Sequence, residues 1–235
     1  MNRAWREHER QLVACARCPR LREWCETVAR EKRRAFRDQT YWGKPVPGFG
    51  DRDARLLIVG LAPAAHGANR TGRMFTGDGS GDWLYAALHE TGFASRPTAT
   101  RRGDGLTLRD VFVTASARCA PPDNNPTRDE LDACAPFLDR ELDLLHRVEI
   151  VVALGSIAWD TVLRRASRVA PASVPSPRPK FGHRARATAV LRRGADPVLL
   201  LGSYHPSRQN TQTGRLTREM WEAVFRETAA RLSPR

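Results

Sequence analysis

Leu56-Leu57-Ile58-Val59-Gly60 is the stretch on which the reading of this chain turns. Four apolar residues without alternation, closed by glycine, describe a strand buried on both faces, as in a parallel sheet covered by helices. The residues that follow, LAPAAHGANRTGRMFTGDGSGD over 61–82, show no apolar period. A loop of roughly twenty residues inside a compact domain is usually functional. Its small residues let a ligand approach the backbone, and His66, Asn69, Arg70, Arg73 and Asp78 can supply chemistry.

Outward from this stretch, strands and helices alternate. Residues 82–92 read as a helix carrying Trp83, Leu84, Ala87 and Leu88 on one face, and 111–114 as a second strand. Thr127 and Glu130 have the spacing of a capping box. The helix they open is expected to reach about His146, with Leu131, Cys134, Phe137, Leu138, Leu142 and Leu145 on its stripe. A third strand at 150–154, a helix through Ala158, Trp159 and Leu163, a fourth strand at 198–201 and a last helix from near Thr217 complete the series. Residues 37–54 and the basic, Pro-rich 166–187 read as loops. The expected fold is α/β, a three-layer α/β/α sandwich with a central four-stranded parallel sheet. It forms a single domain over 1–235 with an N-terminal helical segment at about 1–36. In such folds ligands bind outside the carboxyl ends of the strands. The loops after Gly60, Thr114, Leu154 and Gly202 therefore belong on one rim.

The 235 residues are 41% apolar and 28% charged, as suits a globular domain with one core. No apolar run has membrane-spanning length, and the charged N-terminus lacks a signal core, so a cytoplasmic protein without a membrane partner is expected. Net charge is +13 and the pI about 10.8. That excess of arginine favours a polyanionic partner, because guanidinium pairs with phosphate through a bidentate fork.

Five cysteines in such a chain point to ligation rather than disulfides. Cys15 and Cys18, in C-x2-C spacing, can converge on one metal, and Cys119 and Cys134 complete a possible four-thiolate set. Four thiolates suit zinc or a 4Fe–4S cluster equally. Cys25 is then the spare, expected to be buried. His205, just past a strand end, is placed to donate a hydrogen bond or act as acid or base, and Arg208-Gln209-Asn210 after it form a polar tip suited to a duplex groove. Asp78 or Ser80 can cap the helix ahead, which leaves Asp78 open between capping and catalysis. Phe75 in a Gly-rich loop suits stacking on a planar ligand, and Asn124 suits a turn. The GANRTG segment lacks the lysine of a phosphate-cradling loop, which weighs against nucleotide hydrolysis.

GLAPAAHGANRTGRMFTGD after the first strand, RCAPPDN after the second and YHPSRQNTQTGRLT after the fourth resemble the family 5 uracil-DNA glycosylases, as do the N-terminal C-x2-CPRL and the RPKFGH segment. The resemblance implies an α/β/α fold with a structural 4Fe–4S cluster on Cys15, Cys18, Cys119 and Cys134. It makes the segment at about 1–36 a cluster-binding one. It implies hydrolysis of the glycosidic bond of deaminated bases (uracil, also hypoxanthine and xanthine) flipped from DNA, leaving an abasic site in base excision repair. Asp78, Asn124 and His205 would be catalytic, with Phe75, Gly60, Leu61, Ala62 and His205 holding the base. Arg70, Arg73, Ser207, Arg208, Gln209 and Asn210 would contact DNA, double-stranded or single-stranded. A nucleoid-associated monomer is expected. Leu61 stands where the related family 4 has Glu, and Thr114-Ala115 where it has an Asn that reads uracil, so a less exacting pocket is expected. The rivals are a strict uracil glycosylase of the family 4 type, a non-catalytic iron–sulfur module that binds nucleic acid, and a metal-dependent phosphoester hydrolase.

Overall fold

The computed structural model describes residues 3–232, so positions 1–2 and 233–235, at the ends of the expected domain, lie outside the described residues. The N-terminal segment forms helices α1 (Arg3–Val13) and α2 (Pro19–Glu31), and Cys15 and Cys18 occupy the turn between them. A two-residue strand β1 (Phe49–Gly50) precedes β2 (Leu56–Gly60). The long loop carries one short helix, α3 (Ala68–Thr71), and leads into α4 (Gly79–Glu90). Then come β3 (Val111–Ala115), α5 (Arg128–Leu144), β4 (Ile150–Leu154) and α6 (Ser156–Val169). The chain closes with β5 (Arg186–Ala189), β6 (Val198–Ser203), α7 (Arg208–Gln212) and α8 (Arg218–Leu232).

The sheet runs β1-β3-β2-β4-β6-β5. Its central four strands are parallel, as expected, but two antiparallel edge strands make it six-stranded, which corrects the expected count. β1 lies within 37–54, read as a loop, and β5 begins inside 166–187, also read as a loop, and runs two residues past it. β1 is only two residues long, and β5 leaves three of its four residues at least partly exposed, so neither carries the fully apolar run of a central strand.

Successive residues of β2 face opposite layers. Leu56 and Ile58 join a core with Leu84 and Leu88 of α4 and Trp221 and Phe225 of α8. Leu57 and Val59 join Leu138, Leu142, Trp159 and Val162 of α5 and α6, together with Trp5 of α1. Full burial of each such side chain contributes roughly 1.5–3 kcal/mol. The first helix is thus part of the main core, not an appendage. The capping box forms as read: the Thr127 hydroxyl accepts from Glu130 N–H at 3.2 Å, and the Glu130 carboxylate from Thr127 N–H at 2.8 Å.

β2 connects to β3 on one side, and β4 and β6 lie on the other. The order reverses between β2 and β4, and a crevice opens at the carboxyl ends of such neighbours. The Gly60 loop therefore sits at the switch point. Among the described residues no helix is long and apolar enough to cross a membrane.

Candidate active site and thiol centre

The loop after β2 is shaped by close backbone approaches. Phe75 adopts a left-handed backbone (φ 51°), which turns its ring back over the end of β2. A Cβ on Gly60 would lie 2.9 Å from Phe75 Cζ, so only glycine admits the ring there. Phe75 also meets His205, with ring centroids 5.8 Å apart and planes 35° off parallel. An inserted base needs about 7 Å, two contacts of ~3.5 Å. The base therefore cannot slot between these rings as they stand.

Asp78 does cap α4: Oδ1 accepts from Ser80 N–H at 3.0 Å and Gly81 N–H at 3.1 Å. Capping occupies one oxygen. The other, Oδ2, lies over Gly67 so closely that a Cβ there would sit 1.8 Å away. Capping and catalysis are therefore compatible. Burial pushes the Asp78 carboxyl up, against the two amide hydrogen bonds that favour its charged form. Ser80 Oγ donates to Pro206 O at 3.2 Å, which ties the Asp78 turn to the His205 loop across 126 residues of sequence.

His205 is itself held by its carbonyl, which accepts from Asn210 Nδ2 and from Ser207 N–H, each at 2.8 Å. Ser207 Oγ in turn caps α7 by accepting from Asn210 N–H. Ser207 and Asn210, expected to touch DNA, thus spend these groups inside the loop, while Arg208 and Gln209 are exposed at its tip. Burial pushes the His205 imidazole down to about 4. The ring is then neutral at pH 7 and has one N–H to donate. The folded value lies below the unfolded 6.5, so the unfolded state binds more protons between pH 6.5 and 4. Stability should therefore fall as pH drops through that window, by at most about 3 kcal/mol. If neutral His205 is the working form, the activity of this site should stay level through pH 6.5, where an ordinary histidine titrates, and decline only toward pH 4. A rate that halves near 6.5 would refute this role.

Two arginines are corrected. Arg70 and Arg73 are buried, because the loop uses them to bind itself. Arg70 donates to His66 O and Gly77 O and stacks on Phe36. Arg73, its side chain 6% exposed, grips Asp104 with both terminal nitrogens at 2.8 and 2.6 Å. Neither presents a guanidinium to a ligand. His66 pairs with the Tyr41 hydroxyl at 3.0 Å. Leu61 and Ala62 are half-buried at the mouth of the loop, beside Ser116 and Ala117, whose amides extend the β2–β3 pairing onto the Gly60 and Leu61 carbonyls. Asn124 is exposed in a short turn (φ 55°), and among the described residues no hydrogen bond joins it to Asp78 or His205.

The thiols of Cys18, Cys119 and Cys134 gather where α1–α2, the loop after β3 and the first turns of α5 meet. Burial first, then the neighbouring Cys119 and Cys15, pushes the Cys18 thiol up. Burial, with Cys119 and Cys18 nearby, pushes Cys134 up to about 12. Cys119 is pushed up by its contact with Cys25 and by burial. Cys25 is fully buried, as expected, and donates to Ala120 O at 3.5 Å. Among the described residues no three side chains stand in metal-ligating positions. The donor set nonetheless has the chemistry of a cation site: desolvated thiols that repel one another when ionised are relieved by a positive centre among them. Ala65 of the active-site loop packs on this same cluster of Leu21, Cys25, Cys119 and Ala120.

Sequence reasoning missed what fixes the thiol loop. Arg118, beside Cys119, and Glu141 of α5 form an ion pair with both side chains 1% exposed. Thr114 Oγ1 donates to the same carboxylate at 2.6 Å, and His8 Nε2 lies 3.5 Å from it. Burial opposes ionisation of Glu141, yet the Arg118 charge and its neighbours' hydrogen bonds hold the carboxyl below the usual range. Glu141 falls on the helix stripe beside Phe137, Leu138 and Leu142, where a polar residue among apolar neighbours was the one available signal.

Comparison with known proteins identifies the family. The family description "Uracil DNA glycosylase superfamily" matches residues 47–229. A type-5 uracil-DNA glycosylase of Mycobacterium bovis is 53% identical over 217 residues, covering 92% of this chain and 77% of its own. One from Thermus thermophilus is 52% identical over 221 residues, covering 92% and 93%. A type-4 uracil-DNA glycosylase of Pyrobaculum aerophilum is 34% identical over 129 residues, only 54% of this chain.

Proposed function

The chain belongs to the uracil-DNA glycosylase superfamily and to its type-5 branch, and we propose that it draws a deaminated base out of DNA onto Phe75 and hydrolyses it there. Membership makes it a DNA N-glycosylase, a hydrolase of DNA repair. What supports the finer reading is the contact of Phe75 with His205 at the end of β2, together with the Ser80–Pro206 hydrogen bond that ties the Asp78 turn to the His205 loop. A base stacked in a duplex hides its glycosidic bond, and a mispaired uracil costs least to extrude.

As the bond breaks, the electron pair leaves with the base and positive charge grows on the sugar. Neutral His205 donates an N–H to the departing anion, a preorganised contact of the kind that dominates many enzymes. Asp78 Oδ2 stabilises the sugar cation and orients the attacking water, as carboxylates do in glycoside hydrolysis. Water supplies hydroxyl to the sugar carbon, and its proton balances the released base. Asn124 would have to reach the site from its exposed turn once DNA is bound. Arg208 and Gln209 reach into the groove.

The pocket favours a range of deaminated bases. Leu61 and Ala115 bring neither a carboxylate nor a carboxamide to the rim, so no group there rejects hypoxanthine or xanthine in favour of uracil. Cys15, Cys18, Cys119 and Cys134 would hold a 4Fe–4S cluster, which supplies structural order when bound. Ala65 of the base-binding loop packs on Leu21, Cys25, Cys119 and Ala120, so order imposed on these thiols would extend to that loop.

One experiment separates these points. Duplexes containing uracil, hypoxanthine or xanthine are incubated with the purified protein and abasic sites are counted. Release of all three is expected. Uracil alone would favour the strict type-4 manner of reading, and strand scission dependent on added divalent cation would overturn the glycosidic chemistry. The same preparation should absorb broadly in the visible range. A colourless protein with stoichiometric zinc would sink the iron–sulfur assignment.

A further inference from the structure

Between α4 and β3 the chain does not pass directly from one end of the sheet to the other. Residues 93–109 form a hairpin, with Ala94 bridged to Leu108, Ser95 N–H on Thr107 O at 3.0 Å and Arg109 N–H on Phe93 O at 2.9 Å. It starts at the carboxyl end of α4 and runs back to that helix's amino end. There Ala99 O accepts from Gly77 N–H at 3.0 Å, next to Asp78. An excursion of this length that returns to the active-site loop invites a role there.

Its tip is rigid and cationic. Asp104 accepts from the backbone N–H groups of Thr100, Arg101 and Leu106 at 2.9, 3.3 and 3.0 Å, and Arg73 closes the same carboxylate from the active-site loop. The tie leaves Arg101 and Arg102 exposed. Arg102 lies over the Trp42 ring at 4.7 Å, and Lys44 reaches the same ring at 6.0 Å. Trp42 in turn donates its backbone N–H to Arg70 O at 2.8 Å, so the platform belongs to the active-site loop. Two cations share one indole, and among the described residues none of Arg101, Arg102 and Lys44 pairs with a carboxylate. Like charges gathered without a counter-charge are relieved by an anion. Arg101 follows Ala99 by two residues, a reach of at most about 7 Å.

We infer that Arg101, Arg102 and Lys44 form a grip on DNA backbone phosphates beside the base-release site. The choice of DNA as the polyanion rests on the glycosylase reading above. Arg73, buried and unable to touch DNA, acts at one remove by holding the hairpin that carries the two exposed arginines.

The test is the salt dependence of binding to a uracil-free duplex, measured by fluorescence anisotropy between 50 and 200 mM salt. Each phosphate contact contributes about 0.9 to the slope of log affinity against log salt. Arg101→Gln with Arg102→Gln should lower that slope by about 1.8, so that affinity lost over the range shrinks by roughly twelvefold. Lys44→Gln should lower it by about 0.9, and Arg102→Lys, which keeps the charge, should restore most of it. Arg193→Gln, on the loop entering β6 at the opposite rim, should leave it unchanged. A wild-type slope in the Arg101/Arg102 double variant would overturn the grip, as would an equal fall in Arg193→Gln. Uracil release by the unaltered protein is scored in parallel. Release with an unchanged slope defeats the grip alone, whereas no release defeats the glycosylase reading and leaves the slopes to judge the grip.

Discussion

Asp78→Asn should cut the single-turnover rate of uracil release by roughly 10²–10⁴-fold, the range for loss of a positioned acid–base or charge-stabilising group, while the protein melts within a degree or two of the parent. The substitution is chosen because Asp78 does two things. Its Oδ1 caps α4 through Ser80 and Gly81 N–H, and Asn is as good a cap as Asp. Only the charge on Oδ2 is lost. Asp78→Ala should show the same rate defect and a further loss of about 1 kcal/mol, since it also removes the cap. Gly67→Ala offers an independent route, because the new Cβ would meet Oδ2 at 1.8 Å and push the carboxylate aside without altering its chemistry. Near-parental activity in Asp78→Asn would remove the carboxylate from the mechanism and leave it a helix cap.

Glu141→Gln should be the most destabilising of the substitutions considered, by about 3–5 kcal/mol. Arg118 would keep its charge with its side chain 1% exposed and lose its ionised partner. For a chain of this size that corresponds to a fall in Tm of roughly 6–20 °C. On the proposed four-thiolate cluster, the loss should be accompanied by loss of visible absorbance, because Arg118 precedes Cys119 and α5 carries Cys134. A paired change, Arg118→Met with Glu141→Leu, removes both charges together and should recover most of the stability, since apolar replacement of a whole buried pair is often neutral or better. Equal melting of Glu141→Gln and the parent would show the pair to be dispensable.

How far these residues could be read in advance differs from case to case. The four parallel strands were legible because each is a short apolar run closed by a glycine, serine or alanine turn, and burial on both faces leaves no alternation to blur it. The edge strands were not. β5 reads RATA, with mixed exposure, and its pairing exists only because β6 is already in place. Asp78 and His205 were legible as chemistry-bearing groups in long polar loops, and Phe75 as an aromatic with no apolar pattern to explain it. Arg70 and Arg73 misled for the same reason that made the loop conspicuous. A polar loop of that length must satisfy its own backbone, and buried guanidiniums serve five donors each to that end.

The sequence by itself determined the alternation of strand and helix, the rim on which the polar loops collect, the four candidate thiols and the family. These depend on local apolar spacing and on motifs contiguous in the chain, and neither needs a partner from elsewhere. The tertiary structure alone decided which charged groups face outward. Arg73 is spent on Asp104 and Arg118 on Glu141, whereas Arg101 and Arg102 have no carboxylate partner among the described residues and stand at the end of a hairpin with no motif of its own. The physical reason is that an arginine's role depends on which carboxylate lies within about 3 Å, and that distance is set by packing between segments far apart in the chain.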